Sequence, residues 1–170
     1  EKTTRDNELA LQEKIKMEKQ RIDGFKINRG ISRRNVDVTF DDFHQDLQNQ
    51  KRAVKVMHNL GKDVFNGEQT PSIIITGNVG TGKTMLVSAT LNRLGARKSY
   101  RLIKLIDLVR SLKETWSRDA HATEREVIQF YSNLDLLVID EIGMQFGSDT
   151  ERMFIFDVID GRYEAMKPTV

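Results

Sequence analysis

Gly77-Asn78-Val79-Gly80-Thr81-Gly82-Lys83-Thr84 carries the spacing G-x-x-x-x-G-K-T, and these residue types in this order hold phosphate. Gly77, Gly80 and Gly82 permit backbone conformations that a Cβ would block, so successive N–H groups can turn inward around phosphate oxygens. Lys83 brings a point charge to the β- and γ-phosphates, and the Thr84 hydroxyl is a ligand for Mg²⁺. With Asn78, Val79, Thr81 and Met85, these residues form the expected nucleotide-binding stretch. Further along, Leu134-Asp135-Leu136-Leu137-Val138-Ile139 is a near-continuous apolar run that ends in Asp140 and Glu141. Asp140 stands where the second acidic motif of P-loop ATPases places its Mg²⁺-linked carboxylate, and Glu141 is suited to orient the attacking water. A lone Asp-Glu after an apolar run is usually a turn. Behind a P-loop it becomes a hydrolytic pair, so the expected catalytic residues are Lys83, Asp140 and Glu141, with Thr84 and Asp140 on the metal. The guanine-reading pattern N-K-x-D does not occur in the sequence, so ATP is preferred to GTP.

Such a site must be carried on particular elements. A P-loop needs a strand before it and a helix after it. Ser72-Ile73-Ile74-Ile75-Thr76 reads as that strand, and Met85–Leu94 has helical apolar spacing. Tyr100–Leu105 is rich in branched residues and predicts a second strand. Asp107 is expected to cap a helix running through Trp116, and Thr123-Glu124-Arg125-Glu126 is a capping box that opens another. The run ending at Asp140-Glu141 has the composition of a central parallel strand buried on both faces. Ser148 or Asp149 caps a last helix bearing Met153, Phe154, Ile155, Val158 and Ile159. Toward the N-terminus, Thr39 with Asp42 predicts a helix start, continued by Val54, Met57, Leu60 and Val64 to about Gly61 or Gly67. Phe40 and Phe43 there are core residues, or lie over an adenine. Residues 1–30 read as a charged helix with a thin apolar stripe of Leu11, Ile15 and Ile22. Strands alternating with helices give an α/β class with a parallel sheet.

Composition narrows the function. A chain of 170 residues with 38% hydrophobic content buries one good core. A net charge of +2 excludes a histone-like polycation, so contact with nucleic acid needs a local patch. Zero cysteines exclude disulfides and Cys-ligated zinc, and suit a cytoplasmic location. No apolar run approaches membrane-spanning length, so no membrane association is expected.

The P-loop, taken with the run Leu134–Ile142-Gly143, resembles the DnaC family of bacterial and phage replicative-helicase loaders, an AAA+ group. Flanking segments extend the similarity over roughly residues 20–170. They are Arg29-Gly30-Ile31 followed by Thr39–Phe43, Ile106-Asp107-Leu108 through Trp116, and Ile159-Asp160-Gly161-Arg162-Tyr163. The resemblance implies an AAA+ P-loop core at 31–170, ending before the sensor 1 strand. It makes residues 1–30 a linker helix trailing an N-terminal partner-binding domain. It implies ATP or ADP with Mg²⁺, self-assembly into a ring or spiral, and delivery of a hexameric helicase onto single-stranded DNA. The family's sensor asparagine, arginine finger and sensor arginine come after the position of Val170, so this chain is expected to bind ATP better than it hydrolyses it. Arg162 is then a surface or interface arginine. Single-stranded DNA contacts map by position to Lys113, Trp116 and Ser148, while Thr150 departs from the aromatic expected beside them. Trp116 could instead be a packing residue. Two other readings stay open: a transposition-helper ATPase of the same superfamily, and a nucleotide-switched scaffold with little turnover.

Overall fold

The computed structural model describes residues 2–142 and 148–170, so Gly143, the last residue of the run that carries the resemblance, lies outside the described residues. Among the described residues, six α-helices and two strands follow in the order α1 (Lys2–Asn28), α2 (Gln48–Asn66), α3 (Lys83–Leu94), β1 (Tyr100–Lys104), α4 (Leu105–Lys113), α5 (Glu124–Asn133), β2 (Leu136–Asp140) and α6 (Asp149–Glu164). β1 and β2 pair in parallel, from Tyr100 opposite Leu136 to Lys104 opposite Asp140. On the far side of β2, Thr169 and Val170 continue the sheet: Val170 N donates to Leu137 O at 2.9 Å and Ile139 N to Val170 O at 2.8 Å. On the outer edge of β1, Leu102 N donates to Arg29 O at 2.9 Å. Gly30 is required beside this contact. Its φ is +99°, and a Cβ there would stand 1.8 Å from Leu102 O.

Alternation along the strands sorts the core into two layers. Tyr100, Leu102, Leu136 and Val138 pack with Val54, Met57, Leu60 and Val64 of α2 and Leu86, Leu91 and Leu94 of α3. Ile103, Leu137 and Ile139 face the opposite way, onto Leu105 and Leu108 of α4, Tyr131 of α5 and Val158 of α6. Helices therefore cover both faces, and Leu136–Ile139 is buried throughout, as expected of a central parallel strand.

Four sequence expectations change. Ser72–Thr76 is extended but does not form a ladder strand. Among the described residues, its hydrogen bonds to the sheet are Ile73 N to Thr169 O at 2.9 Å and Ser72 Oγ, which accepts from Thr169 N at 3.0 Å. Ile73 and Ile75 pack inward while Ile74 is exposed. Thr39 and Asp42 do make their capping contacts, at 2.8 and 2.9 Å, but on a single 3₁₀ turn (Phe40–Asp42). α2 starts separately at Gln48, with Gln50 Oε1 accepting from Leu47 N at 3.0 Å, and stops at left-handed Gly67. Asp107 lies inside the first turn of α4, bonded to Arg110, because Leu105 is already drawn into the core directly after β1. Trp116 ends a separate 3₁₀ turn (Glu114–Trp116).

The fourth change is Arg162, which is a buried structural residue and not a surface arginine. Its Nη1 donates to the carbonyls of Tyr131 (2.7 Å) and Leu134 (2.9 Å), Nη2 donates to Pro168 O, and Nε to Thr169 Oγ1 (2.9 Å). One guanidinium thus satisfies the end of α5 and the start of the last sheet segment together. Burial pushes its pKa down to about 10, against the opposing pull of Asp135. Asp135 ties the same end of the sheet: Ser99 N and Oγ donate to its Oδ2 at 2.9 Å, and Lys167 to Oδ1 at 2.9 Å. Burial alone would raise this carboxyl, but Lys167 and Ser99 hold it at about 2.

Replacing Arg162 by Met keeps the volume and removes every donor. Each orphaned carbonyl costs about 1–3 kcal/mol, so the variant is expected to lose roughly 3 kcal/mol or more, read as a lower urea midpoint. A midpoint unchanged within error would rule out this role for the guanidinium.

Candidate nucleotide site

The phosphate loop joins the extended 72–76 segment to α3. Gly80 and Gly82 have φ of +82° and +84°, left-handed values that side chains resist. Gly82 is also closely approached, since a Cβ there would stand 2.7 Å from the Phe43 ring. Phe43 thus seats the loop, as a packing residue beside the candidate nucleotide. Leu86 N donates to Gly82 O at 2.9 Å, which starts the helix and leaves its first-turn amides directed toward the loop. Lys83 Nζ donates to Gly77 O (2.7 Å) and Asn78 O (2.8 Å), and Thr81 Oγ1 donates to Asn78 O (2.9 Å). The ammonium is thereby held at the mouth of the loop.

The second half of the site arrives on β2. Thr84 Oγ1 donates to Asp140 Oδ2 at 2.8 Å, so residues 56 positions apart meet as the sequence predicted. The other carboxylate oxygen, Oδ1, accepts from Glu141 N at 2.9 Å. A hydroxyl and a carboxylate at this distance form an oxygen donor pair of the kind Mg²⁺ takes from protein, with water and phosphate oxygens completing its shell. The donor set fits the cation.

Glu141 carries a feature that sequence reasoning missed. Its φ is +59°, left-handed for a residue with a side chain. Such a conformation costs on the order of 1–3 kcal/mol and persists where its surroundings enforce it. Its carboxylate is engaged by Lys104 at the end of β1, Nζ to Oε1 at 2.9 Å. The partnership raises the lysine's pKa, chiefly through the hydrogen bond and charge of Glu141. A sequence signal existed: two parallel strands each end on a charged residue, and the register sets Lys104 opposite Asp140.

The three candidate DNA contacts also come together, at the junction of α4 and α6. Lys113 Nζ pairs with Glu151 Oε1 at 2.5 Å, and Glu151 N donates to Ser148 Oγ at 3.3 Å. Trp116 is 56% exposed and lies against Phe154 of α6, with ring centroids 5.4 Å apart. Its Nε1 donates to Glu124 at 3.4 Å. Each residue has a local structural contact here. The exposed indole face leaves Trp116 able to meet a further ring.

Residues 6–169 match the family described as IstB-like ATP binding protein. The chain is 32% identical over 168 residues to a protein named Replicative helicase loader DnaC from Buchnera aphidicola subsp. Baizongia pistaciae, covering 96% of this chain and 65% of that one. It is 33% identical over 141 residues to the protein of that name from Escherichia coli K12, covering 82% and 56%. It therefore spans about two thirds or less of the length of these relatives. The fold resembles the structure of AMPPCP-bound DnaA from Aquifex aeolicus, with a TM-score of 0.62 at 23% identity, over 78% of this chain and 40% of that one. It also resembles replication initiator DnaA bound to AMPPCP and single-stranded DNA, with a TM-score of 0.63 at 22% identity, over 82% and 41%. These neighbours carry the AAA+ P-loop α/β fold. Among the described residues, no helix is long and apolar enough to cross a membrane.

With Glu141 read as the residue that orients the attacking water, its ion pair with Lys104 is expected to restrain turnover. Replacing Lys104 by Met should leave ATP affinity unchanged and raise turnover of the assembled protein, by up to about fivefold for the loss of one exposed ion pair. Turnover at or below the parent value in a phosphate-release assay would show that Lys104 does not restrain Glu141.

Proposed function

The chain belongs to the family of IstB-like ATP binding proteins, and we propose that it is the ATPase part of a loader that delivers a hexameric replicative helicase onto single-stranded DNA. The observation that carries the proposal is the Thr84–Asp140–Glu141 constellation, in a chain similar across 96% of its length to a protein named as a helicase loader. Nucleotide binding follows from the family, and hydrolysis is the step assigned here to particular residues.

Lys83 exchanges its two carbonyl contacts for β- and γ-phosphate oxygens, and the amides of Gly80 to Met85 surround the same phosphates. Thr84 Oγ1 and Asp140 Oδ2 would hold Mg²⁺, which offsets the charge that develops on the phosphate oxygens. Glu141, once released from Lys104, orients the attacking water. Its carboxylate has two uses that exclude each other, so the lysine pairing belongs to the resting state. Full turnover is assigned to an assembled ring or spiral. Residues 1–30 are assigned to the linker from a helicase-gripping domain, which fits a 27-residue helix whose Leu11, Ile15 and Ile22 stay exposed. Lys113, Trp116 and Ser148 are assigned to single-stranded DNA, with the indole as the stacking platform.

Replacing Glu141 by Gln keeps the shape and removes the charge. In the assembled protein, the expected result is retained Mg·ATP binding in a titration, loss of turnover, and continued co-purification with a replicative helicase. Turnover at the parent rate would assign the water to another residue. Co-purification with a transposase and no helicase would favour the transposition-helper reading.

Replacing Trp116 by Ala should weaken single-stranded DNA binding by about 1–3 kcal/mol per stacked base while leaving its salt dependence intact. Normal DNA binding coupled with a large drop in melting temperature would make the tryptophan a packing residue.

A further inference from the structure

The net charge of +2 conceals a strong polarity. Residues 26–104 hold fourteen Lys and Arg against six Asp and Glu, whereas residues 105–170 hold seven against thirteen. Much of the positive excess gathers on one pair of helices. α2 carries Lys51, Arg52, Lys55 and Lys62, with Asp63 as its only carboxylate. α3 and the 3₁₀ turn that follows it (Gly95–Arg97) carry Arg93 and Arg97 and no carboxylate at all.

Packing fixes where these cations point. Val54, Met57, Leu60 and Val64 bury one side of α2, which leaves Lys51, Arg52, Lys55 and Lys62 exposed. Lys51, Lys55, His58 and Lys62 follow one another at helical spacing along a single stripe. α3 lies alongside. Arg93 Nη1 meets His58 Nε2, and the Arg97 guanidinium lies over the Phe65 ring, 5.4 Å from its centroid. Lys51, Lys55, Lys62, Arg93 and Arg97 thus share one continuous surface, with Arg52 exposed about 100° further round α2. Among the described residues, no carboxylate forms an ion pair with any of them.

We propose that this α2–α3 surface is a second nucleic-acid site, one that holds the phosphate backbone of duplex DNA and is separate from the Lys113–Trp116–Ser148 cluster. Charge without base chemistry is the argument for phosphate. From Lys51 to Lys62 the stripe is about 16 Å long at 1.5 Å per residue, roughly the rise of five base pairs at 3.4 Å each. The distribution of aromatics is the argument for a duplex. Single strands are gripped by stacking on exposed rings. The exposed aromatic residues of the described chain, Trp116, Phe130, Phe156 and Tyr163, all lie in the acidic half, and Phe40 and Phe65 beside the patch are partly buried. A row of cations without a stacking platform reads backbone shape and charge alone.

The test compares the parent with a variant carrying Lys51→Gln, Lys55→Gln, Lys62→Gln and Arg93→Gln, all exposed positions. Binding of a labelled 20-base-pair duplex and of a labelled 20-base oligothymidine is followed by fluorescence anisotropy against KCl concentration. The variant should bind the duplex at least tenfold more weakly at moderate salt. The slope of log affinity on log salt should become shallower by about 0.9 for each phosphate contact removed. Oligothymidine binding and ATP affinity should hold, and Trp116→Ala should spare the duplex. Unchanged duplex affinity and slope would overturn the proposal, and so would equal losses on both probes. Sedimentation velocity supplies the remaining arm: if self-association of the parent disappears in the variant while duplex binding stays, the patch holds a second copy and no DNA.

Discussion

Burial of Leu136–Ile139 on both faces is the constraint on which the rest of the structure depends. A strand enclosed by two helical layers can present polar groups only at its ends. At one end, Asp140 and Glu141 emerge beside the phosphate loop; at the other, Asp135 binds Ser99 and Lys167. Because β1 runs parallel to β2 in a fixed register, its last residue must also emerge at the same edge. That residue is Lys104, and its contact with Glu141 is a geometric outcome of the sheet. Ligand chemistry collects at this edge for the reason general to parallel α/β sheets: backbone direction places every strand's carboxyl end there.

Much of this was legible in the sequence because the signals were local. G-x-x-x-x-G-K-T states its own geometry, the Thr123–Glu126 capping box forms as read, and the composition of the central strand declared burial on both sides. The meeting of Thr84 with Asp140 was legible as well, since two motifs each name the same ligand. What could not be read were contacts set by tertiary packing. Arg162 sits on the solvent-like side of a charged local pattern, yet the groups that claim it are carbonyls some thirty residues earlier and six residues later. Thr39–Asp42 has a correct helix-start signature, but the following residues, with no apolar periodicity until α2, let it close as a single turn. The 72–76 segment has strand composition, but a ladder also needs a neighbour, and among the described residues only Thr169 hydrogen-bonds to it from the sheet.

The charge asymmetry shows a further limit of composition. A near-neutral total is compatible with a molecule of two opposed halves, divided where β1 gives way to α4. The phosphate loop belongs to the basic half and the candidate carboxylates Asp140 and Glu141 to the acidic half, so the candidate nucleotide site lies on the boundary between them. A highly charged anionic ligand at that boundary gains from the first half, while the second supplies the carboxylates that a divalent cation needs.

Arg162 has a consequence for how the molecule opens. One side chain terminates α5, anchors the segment at Pro168–Thr169, and is itself borne on α6. None of the three can fray without stranding a guanidinium or its carbonyls away from water. In native-state hydrogen exchange, the end of α5, the last turns of α6 and the Thr169–Val170 edge of the sheet are therefore expected to open as one cooperative unit. That unit is not confined to the far end of β2. Arg162 holds the Leu134 carbonyl ahead of the strand, while Val170 O accepts from Ile139 N, one residue before Asp140. Opening of the last sheet segment therefore uncovers the strand up to the edge where the candidate nucleotide site lies.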